Sequence, residues 1–119
     1  MSEDKTEDCL FCRIAADDIP ADVVAANDHA VAFRDISPVA PTHVLVIPRA
    51  HHANLGEVAA DEPETLVEMV RLARSVAEAD GVAGDGYRLV ANTGAAAHQT
   101  VFHAHLHLLG GRPMGWPPG

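Results

Sequence analysis

Three histidines alternate with apolar residues in Phe102-His103-Ala104-His105-Leu106-His107-Leu108-Leu109. The run reads as part of a strand over Thr100 to Leu109, and alternate side chains of a strand share a face. His103, His105 and His107 then project together, while Phe102, Ala104, Leu106 and Leu108 face the core. A lone histidine is commonly structural, but three on one face point to a metal or to catalysis. Two chemistries fit. Three imidazoles can ligate one catalytic Zn²⁺ and leave a water position open. Alternatively, one neutral imidazole attacks phosphorus and later leaves, while its neighbours orient it and steady the phosphate charge.

Cys9 and Cys12 are the only cysteines, spaced C-x-x-C. A structural disulfide does not suit a reducing compartment. A thioredoxin-like redox pair would want a βαβ context, and none is visible. The pair therefore lacks two ligands of a closed metal site.

Around these residues the chain alternates short strands with little helix. Residues 9 to 16 can form a short helix with Asp8 as its N-cap. Val23 to Ala26 and Ala30 to Arg34 read as a hairpin across Asn27-Asp28. Ser37-Pro38 and Ala40-Pro41 make a rigid loop, and His43 to Pro48 is a buried strand. One long helix is predicted over Asp61 to Asp80, with Asp61 and Glu64 as a capping pair and Gly81 as its stop. Leu66, Met69, Val70, Ala73, Val76 and Ala77 form its core stripe. Tyr87 to Asn92 reads as a strand and Thr93 to Gln99 as a loop. The tally is α+β around an antiparallel sheet of about five strands.

Composition narrows the classes. The length of 119 residues suits one domain. The division expected is an acidic disordered arm over 1–8 and a domain over 9–119, ending in an extended tail at 110–119. The polar, acidic start is unlike a secretory signal, and no apolar run is long enough for a bilayer, so a cytoplasmic, membrane-free protein is expected. The net charge of -9 argues against nucleic acid as a partner. Acid excess, a single lysine and abundant alanine also suggest a protein of high-salt surroundings.

The triad resembles the signature of the histidine-triad (HIT) nucleotide hydrolases and transferases. Phe33-Arg34-Asp35-Ile36-Ser37-Pro38, Ala40-Pro41-Thr42-His43, Val46-Ile47-Pro48-Arg49-Ala50-His51, Gly86-Tyr87-Arg88 and Gln99-Thr100-Val101-Phe102 look like its Hint branch. So does the ending Leu109-Gly110-Gly111-Arg112 … Trp116-Pro117-Pro118-Gly119. The likeness runs from about Cys9 to the last residue. It implies a five-stranded antiparallel sheet with one long helix and a short N-terminal helix, assembled as a homodimer.

The resemblance also implies roles. His105 would form a covalent nucleotidyl-histidine, His107 would hydrogen-bond the phosphate, and His43 would belong to the proton relay. Asp35 would bind the ribose, and Ile19, Phe33 and Ile36 would sandwich the base. Asn92, Gln99 and Thr100 would hold the phosphate end. In relatives that keep the C-x-x-C, structural Zn²⁺ is bound as Cys9, Cys12, His51 and His103 would bind it here, with His52 a substitute for His51. The implied substrate is a purine nucleoside 5′-monophosphate derivative, adenosine phosphoramidate above all. A dinucleoside-polyphosphate hydrolase, a nucleotide-binding interaction module with incidental activity and a three-histidine zinc hydrolase are the alternatives. One departure is the pre-triad loop, where Gly94-Ala95-Ala96-Ala97-His98 replaces a glycine-rich segment.

Overall fold

The computed structural model describes residues 8–119. The acidic arm expected over residues 1–8 lies, Asp8 apart, outside them. The elements run α1 (Leu10–Ala15), β1 (Val23–Ala26), β2 (Ala30–Arg34), β3 (Thr42–Pro48), α2 (Leu55–Asp61), α3 (Pro63–Ala79), β4 (Tyr87–Val90) and β5 (Leu106–Gly110). The five strands form one antiparallel sheet in the order β1-β2-β3-β5-β4.

Alternation along the central strands splits the core in two. Ala30 and Ala32 of β2, Val44 and Val46 of β3, and Leu106 and Leu108 of β5 pack with Met69, Leu72, Ala73, Val76 and Ala77 of α3. The small β2 residues let the helix lie close to the sheet. Val31, Phe33, Leu45 and Ile47 point the other way, onto Phe11 and Ile14 of α1. The histidines of β5 and its approach share this second side, so a short helix covers the chemistry.

The long helix predicted over Asp61 to Asp80 is α3, which starts at Pro63, and the short α2 before it, ending at Asp61, was not expected. Pro63 disfavours helical backbone at the residue before it, and Glu62 accordingly sits at φ -141°, ψ 69°. Asn54 caps α2 through the Glu57 amide, while Pro63 opens α3 with no side-chain cap. The Asp61 and Glu64 capping pair is therefore not formed. Gly81 does stop α3, at φ +76°. At α1 the N-cap is Cys9, whose sulfur accepts from the Cys12 amide, rather than Asp8.

The triad strand is shorter than predicted. The Ala104 amide donates to the His52 carbonyl at 2.7 Å, and the His103 ring takes the Pro48 carbonyl. The ladder with β3 therefore begins only at Val46 and Leu106. Phe102, expected in the core, is 55% exposed.

Candidate active site

Asp35 follows β2, and the bond from its amide to the His43 carbonyl brings it beside the start of β3. Its Oδ1 accepts from the Ser37 amide at 2.7 Å, which aims Oδ2 at His43 Nε2, 3.5 Å away. Behind this corner Asp80, at the end of α3, receives both Arg34 nitrogens and the Thr42 hydroxyl at 2.8–2.9 Å. Arg34 holds the Asp80 carboxyl below its ordinary range, with Thr42 adding to the effect.

The hydrogen bonds fix the imidazole tautomers. The Val39 amide donates to His43 Nδ1 at 3.1 Å, so the ring proton lies on Nε2. That Nε2–H donates to His107 Nδ1 at 3.0 Å. His107 must then carry its proton on Nε2, for which no protein acceptor is found among the described residues. His105 donates Nδ1–H to the His103 carbonyl at 2.7 Å, which leaves the lone pair on its Nε2. One histidine thus offers a lone pair and its neighbour a donor, with ring centres 5.1 Å apart.

Burial keeps the His43 and His107 rings neutral. It pushes His107 down to about 4, helped by the charges of His105 and His43 and opposed by Asp35. His43 is lowered for the same first reason, again opposed by Asp35.

Beside the histidines lies a largely apolar groove of about 490 Å³, lined by Phe11, Ile14, Ile19, Phe33, Asp35 and Ile36 among others. The expected base-binding residues therefore share one cleft, although Ile36 stands at its rim, 97% exposed. Phe11 is a site residue the sequence reading missed. Its ring meets His105 edge-on at 5.2 Å and Phe33 at 5.5 Å. Its place between the cysteines and one turn from Ile14 was the available signal.

The phosphate-end candidates Asn92, Gln99 and Thr100 lie in the segment between β4 and the triad. Asn92 is half-buried and Thr100 exposed, beside Cys9, His51 and Phe102 in a separate cavity. Gln99 is buried, and its amide is committed to the backbone. It accepts from Gly94 and donates to Ala53 and Val101. His98 is exposed and left-handed, at φ +69°.

Cys9, Cys12, His51 and His103 converge, with donor atoms within 4.8 Å of one another. The sulfur-to-Nδ1 distances are 3.2 Å for Cys12 and His51, 3.3 Å for Cys12 and His103, and 3.4 Å for Cys9 and His103. A tetrahedral zinc with ordinary bond lengths sets such edges at about 3.6 Å. His103 donates Nε2–H to Pro48, leaving Nδ1 free to ligate. The set fits a closed tetrahedral site. Burial, with Cys9 adding, pushes the Cys12 thiol up to about 12. His52 faces Asp61 and Glu62 instead, and the structure selects His51.

The sheet thus sets a free imidazole lone pair and a second imidazole donor beside a largely apolar cleft. The HIT domain model matches residues 16–114, and the chain belongs to the HIT family. It is a hydrolase of that family. It is 46% identical to the purine nucleoside phosphoramidase of Escherichia coli K12 over 109 residues, 92% of either chain. A HIT family hydrolase from Legionella pneumophila superposes with TM-score 0.88 at 50% identity, covering 93% of this chain and 99% of that one. Another from Clostridium thermocellum gives 0.87 at 45%, covering 92% and 95%.

Proposed function

We propose that the protein hydrolyses purine nucleoside 5′-phosphoramidates through a nucleotidyl-His105 intermediate. The observation that carries this reading is the 2.7 Å bond from His105 Nδ1–H to the His103 carbonyl. It holds the lone pair on Nε2 and stabilises the positive charge the ring acquires on attack. The base lies between Ile19, Phe33 and Ile36, and Asp35 accepts from the ribose hydroxyls. Nε2 of His105 bonds to phosphorus as the phosphorus–nitrogen bond of the substrate breaks. Water then displaces His105. Over the two steps the amine gains one proton and the water loses one, so the protein ends as it began. His107 offers Nε2–H to the phosphoryl oxygens, and His43 maintains its tautomer. Asn92 meets the phosphate, and Gln99 and Thr100 serve it through the loop backbone they shape.

In the same reading the protein is a cytoplasmic homodimer. Val67 and Val70, exposed at 49% and 43% on α3, supply apolar surface for a second copy. Cys9, Cys12, His51 and His103 hold structural zinc, whose contribution is to tie α1 to the triad segment. The dinucleoside-polyphosphate alternative uses the same nucleophile and differs in its leaving group. The ending that resembles the Hint branch, Leu109-Gly110-Gly111-Arg112 … Trp116-Pro117-Pro118-Gly119, favours the phosphoramidate.

Turnover across adenylyl and guanylyl amides, anhydrides and fluorides tests the assignment. The amides are expected to be cleaved fastest, and His105→Gly to abolish cleavage of all three while nucleotide still binds. Turnover by that variant within tenfold of the parent would contradict it.

A further inference from the structure

Asp35 is placed for more than the ribose. Its Oδ1 is tied to the Ser37 amide, and its Oδ2 lies 3.5 Å from the His43 nitrogen that donates to His107. The Nε2–H of His43 thus lies between an imidazole lone pair and a carboxylate. Asp35, His43 and His107 each present one atom to a cluster within 4.8 Å. Since the Val39 amide occupies His43 Nδ1, that cluster keeps a proton at Nε2, where a metal would need the lone pair.

We propose that Asp35 is the charge partner of the His43–His107 pair, a positioning residue whose carboxylate aligns the relay and stabilises positive charge on it during phosphoryl transfer. This rests on the proposed hydrolase chemistry and deepens it. A ribose hydroxyl and the relay would then share one carboxylate, and sugar binding would be felt at His107.

The surroundings support the assignment. His43 is faced by Asp35, His107 and the Val39 amide, and His107 by His43, His105 and Asp35. Asp35 alone among these is anionic, and its charge raises both rings against the burial that lowers them. Removing it leaves that burial unopposed.

The test separates the two duties by removing the sugar hydroxyls. The probes are adenosine 5′-phosphoramidate and its 2′,3′-dideoxy counterpart, each with the parent and with Asp35→Asn. The expected result is a fall in kcat of about tenfold or more on both substrates. A residue that only binds ribose would leave the dideoxy substrate untouched, and that outcome overturns the inference. Nuclear magnetic resonance titration gives a reading independent of turnover. His43 and His107 should titrate at lower pH in Asp35→Asn, and at neutral pH the His43 Nε2–H resonance should move upfield. Unchanged imidazole signals overturn the inference too. If the parent cleaves neither probe, the proposed function fails, and the imidazole signals alone decide the role of Asp35.

Discussion

A nucleophilic imidazole must keep its proton on one nitrogen and its lone pair on the other. For His105 a main-chain carbonyl performs this sorting, so no side-chain substitution removes the orienting group itself. What a substitution can disturb is the support around the ring. Phe11 is 5% exposed and sets its edge against His105. Phe11→Ala removes a packed aromatic, and the expected cost is about 3–5 kcal/mol of stability. A chemical denaturation series would measure it. A kcat defect that persists well below the denaturation midpoint would show that the ring also orients His105. Removing His43 is a second test. His43→Ala deletes the donor that fixes the His107 tautomer, and kcat should fall by about 10²-fold or more with little change in KM. At this scale the triad and the C-x-x-C pair were legible because spacing alone exposed them. The Val39 amide and the Pro48 carbonyl were not, because backbone groups carry no sequence pattern, and the one signal for Phe11 was its place between the cysteines and one turn from Ile14.

Among the elements, the corner between β2, β3 and the end of α3 fixes the relay. Asp80 joins all three through Arg34 and Thr42. Its carboxyl is depressed in the fold, so its contribution is complete above the ordinary carboxylate range and disappears as pH falls through the lower, folded value. Asp80→Asn should therefore lower the melting temperature at pH 7 and narrow the gap to the parent as the solution becomes strongly acidic. A gap independent of pH would assign the effect to packing. The strands and the α3 stripe were readable from periodicity and turn residues, except that Val70, placed in the stripe, is 43% exposed while Leu72 is buried in its stead. The break at Glu62 was signalled by Pro63, but the seven residues of α2 before it carry too short an apolar pattern to stand out as a helix of their own. The first half of the triad segment misled more seriously. His103 and His105 alternate like strand residues, yet ring and amide bonds to Pro48 and His52 hold that backbone off the ladder. Side-chain periodicity does not report such competition for hydrogen bonds.

The whole molecule carries a net charge of -9 in a fold with a 13.8 Å radius of gyration. At 0.01 M salt the Debye length is about 30 Å, so nearly all these charges repel one another, while at 1 M it is about 3 Å. Melting temperature should rise with chloride into the molar range; a flat or falling trend above about 0.5 M would contradict this account of the charge. Buried neutral histidines add a pH dependence of their own. The His107 value near 4 lies below that of the free side chain, so the unfolded chain binds more protons between about 4 and 6.5. Stability should thus increase as pH rises through that window, as urea melts at several pH values would show.

The central claim is that phosphorus bonds to His105 Nε2 during turnover. The most direct measurement is alkaline quenching within the first turnovers of adenosine 5′-phosphoramidate, which preserves a phosphorus–imidazole bond that acid would cleave, followed by intact-mass and peptide mass spectrometry at non-acidic pH. The account predicts a transient adenylyl adduct on the peptide containing His105, absent in His105→Gly and lost as product accumulates. An adduct on His103 or His107, or full turnover with no adduct at any quench time while amine is released in a burst, would contradict it.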